Sequence, residues 1–232
     1  MPDMIRIKAA DGGSFDAYCV SKKSAGGAGV LLIQEIFGVN TVMRDLADDF
    51  ARLGYTVVCP DLFWRIKPGI RLDKYDEADW KEAFGLFQKF DVDKGIDDLK
   101  ATLAHMRGMK EVSGKIGCVG YCLGGKLAYL MMTRSDIDAG VSYYGVGIEQ
   151  LLGEAGNIKK PYLTHIAGKD KFVPPEAQAS VKAALSRNPL VEIHSYAEQD
   201  HAFARVGGDH WDSEAAHAAN DRTAKFLDKN LG

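Results

Sequence analysis

Gly120-Tyr121-Cys122-Leu123-Gly124-Gly125 follows a short apolar run, Lys115 to Val119, and leads into the apolar-rich stretch Leu123 to Thr133. A strand, a sharp turn bearing a nucleophile and a helix make up a nucleophile elbow, here with Cys where Ser usually stands. The turn holds the nucleophile in a strained backbone conformation. Glycines at 120 and 124 keep the neighbouring strand and helix from colliding with it. Cys122 then sits at a helix N-terminus, whose partial positive charge favours a thiolate. The Leu123 N–H would point at a developing oxyanion. The competing reading is that Cys122 is a small buried hydrophobe in a Gly-rich turn. That reading suits Cys19, Cys59 and Cys118, which fall inside expected strands.

Working outward, apolar runs alternate with amphipathic stretches. Gly29 to Ile33, Tyr55 to Cys59, Lys115 to Gly120, Ala139 to Tyr144, Tyr162 to Ala167 and Val191 to Tyr196 read as strands. Asn40 is placed to cap a helix whose Val42, Leu46, Phe50 and Leu53 form one apolar stripe, and Gly54 stops it. Asp61 to Asp73 reads as a long loop. Tyr75 to Phe90 and Val92 to Met109 read as helices, with Asp91 as the cap between them. Leu123 to Thr133, Pro175 to Arg187 and the segment after Trp211 are further helices. Strands alternating with helices imply a mainly parallel sheet covered on both faces. No linker, repeat or low-complexity tract divides the chain, so residues 1–232 are expected to form a single α/β domain.

The chain has 232 residues, 46% hydrophobic and 26% charged, with a net charge of −3. No basic excess recruits nucleic acid or an anionic membrane, and neither partner is expected. The N-terminal stretch lacks the apolar core and small-residue cleavage site of a signal peptide, so a cytoplasmic location with reduced thiols is expected. Cys118 and Cys122 have no second Cys or His pair at zinc-ligand spacing. Neither a metal nor a cofactor is called for, and the chain is expected to act as a monomer.

A nucleophilic cysteine needs a base and a group to orient that base. Elbow hydrolases carry them in the order nucleophile, acid, histidine. Asp170, in Gly168-Lys169-Asp170, follows the strand Tyr162 to Ala167. His201, in Asp200-His201-Ala202-Phe203, follows the strand Val191 to Tyr196. Both fall on loops at carboxyl ends of strands, where open α/β sheets bind ligands. The other histidines look structural (His105, His165, His194) or solvated (His210, His217). An Asp in such a turn is often only a turn former.

With these residues in view the chain resembles the dienelactone hydrolase family, of α/β-hydrolase fold. The resemblance runs through Gln34-Glu35-Ile36-Phe37-Gly38-Val39-Asn40, Val58-Cys59-Pro60-Asp61-Leu62, the elbow, Tyr143-Tyr144-Gly145-Val146-Gly147 and His201-Ala202-Phe203-Ala204-Arg205, with Ala202 where the family carries Ser. It implies an eight-stranded, mainly parallel sheet with helices on both faces and the triad Cys122, Asp170, His201. It adds Glu35 as a partner of the resting cysteine, Ile36 N–H as second oxyanion donor, Arg205 as a clamp on a substrate carboxylate, and Tyr144 in the substrate pocket. The implied reaction opens a carboxylate-bearing conjugated lactone through a thioester, in the breakdown of chlorinated aromatics. From the residues alone, a carboxylate at Glu35, ending a buried strand, is costly unless paired. Where the family's pocket has an arginine and a tyrosine, this chain has Trp80 and Phe84.

Those two rings favour an alternative, a broader cysteine esterase or thioesterase on the same fold. A glutamine amidotransferase needs a Glu two residues after its His, and Phe203 stands there. A binding module keeping only the fold would show a broken triad, and a redox protein would want an accessible resolving cysteine. No nucleotide-binding glycine motif is present.

Overall fold

The computed structural model describes residues 3–21 and 26–232. Residues 1–2 of the N-terminal stretch lie outside them. The chain divides into two compact units, Met1–Ile116 and Gly117–Gly232.

In the first unit, β1 (Asp3–Lys8) and β2 (Ser14–Val20) form an antiparallel hairpin, and β2 pairs antiparallel with β4 (Thr56–Pro60). β4 in turn runs parallel to β3 (Gly29–Ile33), with Val30 opposite Val57. Every residue of β3 and β4 is buried, as the unbroken apolar runs require of a strand covered on both faces.

Asn40 caps α1 (Thr41–Arg52) by accepting the Met43 N–H, and Gly54 follows its end at φ +102°. The expected stripe is corrected here. The buried face is Met43, Ala47, Phe50 and Ala51, while Leu53 is 59% exposed. Weighing only bulky side chains overlooks the alanines, which let the helix lie close to the sheet.

α2 (Glu77–Lys89) begins two residues later than expected. Tyr75 stands at φ +55° and Asp76 is the cap, accepting the Asp79 N–H. α3 (Val92–Arg107) is capped by Asp91, which accepts the Lys94 N–H at 3.1 Å. The loop between β4 and α2 is tied down. Asp61 accepts the Phe63 and Gly69 N–H groups, and buried Asp98 of α3 accepts from Trp64 Nε1 and, through both oxygens, from Arg65.

The second unit runs β5 (Ile116–Tyr121), α4 (Leu123–Arg134), β6 (Ala139–Tyr143), a 3₁₀ helix (Ile148–Asn157), β7 (Tyr162–Ala167), α5 (Pro175–Leu185), β8 (Val191–Tyr196) and α6 (Ser213–Leu231). Its strands pair in parallel in the order β5-β6-β7-β8. β6 stops at Tyr143 because Tyr144 turns to φ +38°.

Buried His165 of β7 is structural, as its place in a strand suggests. Its Nδ1 meets Tyr196 Oη at 2.9 Å and its Nε2 meets Thr223 Oγ1 at 3.0 Å, joining β7 to β8 and α6. Burial, with the His194 and Arg222 charges adding to it, pushes the His165 imidazole well below its usual range, so it is neutral.

Candidate active site

Cys122 stands between β5 and α4 at φ +57°, ψ −115°, a conformation that costs a non-glycine residue about 1–3 kcal/mol. Its N–H donates to the Tyr143 carbonyl at 3.0 Å, and its own carbonyl accepts the Gly125 N–H at 3.0 Å. A side chain at Gly120 would collide with the Gly124 carbonyl. One at Gly125 would put Cβ 2.7 Å from the Tyr143 carbonyl oxygen and 2.8 Å from Gly145 Cα. These glycines let β5, α4 and the end of β6 close around the cysteine. The Leu123 N–H, at the first position of α4, has no partner within its helix by the geometry of helix ends.

Asp170 and His201 reach each other across the loops after β7 and β8. His201 Nδ1 and Asp170 Oδ2 are 2.7 Å apart, with side-chain exposures of 6% and 1%. The second carboxylate oxygen of Asp170 accepts the Phe172 N–H at 2.8 Å. Loop geometry brings this about. Gly168 N–H donates to the Tyr196 carbonyl and Lys169 N–H to the Gln199 carbonyl, and a Cβ at Gly168 would strike the Ala197 backbone. His201 N–H is held by Asp200 Oδ1 at 2.7 Å.

Asp170 occupies Nδ1, which leaves Nε2 as the ring nitrogen available to Cys122. Burial opposes the charged imidazolium. The electrostatic influence of Cys122 and the hydrogen bond to Asp170 outweigh it and raise the His201 pKa. Of the three residues chosen from chain order, His201 and Asp170 are joined directly, and Cys122 contributes to the electrostatics of the imidazole.

Two rings flank the imidazole edge-on, Tyr144 at 5.1 Å and Phe172 at 4.9 Å between centroids. Tyr144 is buried, but Phe172 is 46% exposed. Phe172 is not singled out by the sequence pattern. Its position two residues past Asp170 was the available signal, since a residue there shares the turn that delivers the carboxylate. Arg205 lies on the turn after His201, its N–H donating to the carbonyl of Ala202, which stands at φ +64°. It is buried, so it is not a solvated surface arginine.

The remaining candidates belong to the first unit. Glu35 and Ile36 leave the end of β3, both buried, and Phe37 follows them. Phe37 packs edge-on against Trp80 at 4.9 Å between centroids, and Trp80 stacks on Phe84 at 5.5 Å one turn along α2. Trp80 and Phe84 therefore form one apolar surface with Phe37, with Phe84 39% exposed.

Residues 15–231 match the dienelactone hydrolase family. Among curated relatives, a chain from Azospirillum brasilense is 49% identical over 98% of this chain and 99% of its own length; its name, carboxymethylenebutenolidase, is provisional. The carboxymethylenebutenolidase of Pseudomonas putida is 40% identical over 96% of this chain and 94% of its own length. A crystal structure from Klebsiella pneumoniae, provisionally named a dienelactone hydrolase, superposes with a TM-score of 0.86 at 24% identity, covering 98% of each chain. That likeness shows the expected α/β-hydrolase fold, with eight mainly parallel strands and helices around them. Among the described residues, no helix is long and apolar enough to cross a membrane.

Proposed function

The chain belongs to the dienelactone hydrolase family and is a hydrolase acting on carboxylic ester bonds, and from that premise we propose that it opens a carboxylate-bearing lactone through a thioester on Cys122. Cys122, its proton passed to His201, attacks the lactone carbonyl carbon. An S–C bond forms, and the N–H groups of Leu123 and Ile36 stabilise the oxyanion. Collapse breaks the ring C–O bond, and the leaving oxygen, still tethered to the acyl group, takes the proton from His201. Neutral His201 then accepts a proton from water as that water attacks the thioester carbonyl. The C–S bond breaks, the carboxylic acid leaves, and Cys122 and His201 again share one proton. Asp170 holds the imidazole in the tautomer these transfers require.

The observation that carries this reading is the buried His201–Asp170 pair, with 2.7 Å between Nδ1 and Oδ2, together with Cys122 at a strained turn between strand and helix. Arg205 is the proposed clamp on the substrate carboxylate. Glu35 is the proposed partner of the resting cysteine, an assignment that rests on the family resemblance.

The second reading, a broader esterase or thioesterase, is favoured by the stacked Trp80 and Phe84, which replace polar pocket groups with apolar surface. A kinetic panel of lactones and esters, each with and without a carboxylate, separates the two. Higher kcat/KM for carboxylate-bearing lactones, with Arg205→Ala raising KM for them alone, supports the first. Higher kcat/KM for neutral aryl esters, with Arg205→Ala affecting all substrates equally, selects the second.

A further inference from the structure

Gln34 is the last residue before Glu35, and its side chain is fully buried. Both ends of its amide are engaged. The Leu62 N–H donates to Gln34 Oε1 at 3.1 Å, and Gln34 Nε2 donates to the Glu35 carbonyl oxygen at 3.3 Å. These two partners settle which end of the amide is oxygen and which is nitrogen, because one partner only donates and the other only accepts. A side chain curling back onto the next residue's carbonyl gains little for β3, which ends at Ile33. Its effect is on the peptide group that Glu35 and Ile36 share. That group is planar and trans, so its C=O and N–H point in opposite directions. Whatever anchors the Glu35 carbonyl also aims the Ile36 N–H.

We propose that Gln34 is a positioning residue for the oxyanion hole: it locks the Glu35–Ile36 peptide plane so that the Ile36 N–H is aimed before substrate arrives. The inference rests on the oxyanion role given to Ile36 above. Leu62 supplies the fixed end. It opens the loop that is tied to α3 through Asp98 and returns along the same segment, where the Leu72 N–H donates to the Phe37 carbonyl at 3.0 Å and Asn40 Nδ2 donates to the Leu72 carbonyl at 3.0 Å. A side chain at Gly38 would collide with the Ile70 carbonyl, so the loop runs directly over this segment. Gln34 thus passes the rigidity of the loop to one peptide bond. Preorganised donors are effective because they need no reorientation when charge develops.

The test compares two reactions of the same cysteine. Alkylation of Cys122 by iodoacetamide is displacement at a saturated carbon and builds no oxyanion; ester or lactone hydrolysis does. Gln34→Met keeps the length and removes both polar ends. Gln34→Glu keeps an acceptor for the Leu62 N–H and turns a carboxylate toward the Glu35 carbonyl. In both variants kcat for hydrolysis should fall about 10- to 100-fold with KM nearly constant, short of the loss expected for deleting a donor outright. The rate of Cys122 alkylation should stay within about twofold of native, with Cys19, Cys59 and Cys118 unlabelled as a check of the fold. Unchanged hydrolysis overturns the proposal. So does a parallel fall in alkylation, or labelling of all the cysteines in both variants, since either makes Gln34 a structural residue. Failure of the underlying reading looks different: native enzyme fully alkylated at Cys122 would still hydrolyse substrate.

Discussion

Cys122, His201 and Asp170 are held by directional polar contacts in a buried setting, with 2.7 Å between imidazole and carboxylate and a cysteine at positive φ. Phe37, Trp80 and Phe84 are held by ring packing, with one ring partly in solvent. On the proposed mechanism the first set has one usable arrangement, because proton transfer falls off steeply with distance and angle. The second tolerates shifts, because apolar contact is non-directional. Substitutions should therefore be nearly all-or-none in the first region and graded in the second.

The largest effect is expected at Cys122. Cys122→Ala replaces one small residue in the turn with another and should cut kcat at least about 10⁴-fold while the thermal midpoint changes little. Near-native turnover by pure variant would break the contrast at its strongest point.

His201→Ala and Asp170→Asn sharpen it next. Each single variant should lose about 10³- to 10⁴-fold in kcat, and the double variant little more than the worse single one, because the two residues act as a unit. A double variant losing the product of the two single losses would mean that Asp170 does not work through His201.

Trp80 and Phe84 should give the smallest effects. Trp80→Ala is expected to change KM for aromatic esters by about tenfold and Phe84→Ala, already part-exposed, by a few-fold, with kcat nearly unchanged in both. A kcat loss comparable to that of Asp170→Asn would move these rings from recognition into the catalytic machinery.

The same contrast explains what the sequence reveals. The elbow is legible because its backbone demands are local: glycines at fixed offsets, a strand before and a helix after. Asp170 and His201 follow from chain order and from their places just past strand ends. The caps at Asn40 and Asp91 are legible for the same reason, since each acts on an N–H three residues away.

Contacts that depend on distant chain are not legible in this way. Phe172 is only an aromatic in a polar turn until β8 brings His201 against it. Gln34 gains its role only when the loop returns Leu62 to it. The α1 stripe misleads because alanine carries little hydrophobic signal yet is what a helix lying close to a sheet buries. β1 gives a short, mostly exposed pattern followed by a turn at Gly12, too weak to separate from loop. Trp80 and Phe84 are legible as departures from the family, but their stacking on each other is not.

Trapping the covalent intermediate tests the central claim most directly. Native enzyme mixed with a lactone is quenched in acid within one turnover, digested and mapped by mass. Because the leaving oxygen of a lactone stays on the acyl group, the peptide containing Cys122 should gain the full mass of the substrate and lose it to neutral hydroxylamine, as a thioester does. A substrate-mass adduct on any other residue, or turnover under the same quench with Cys122 always unmodified, would contradict a cysteine-borne acyl enzyme.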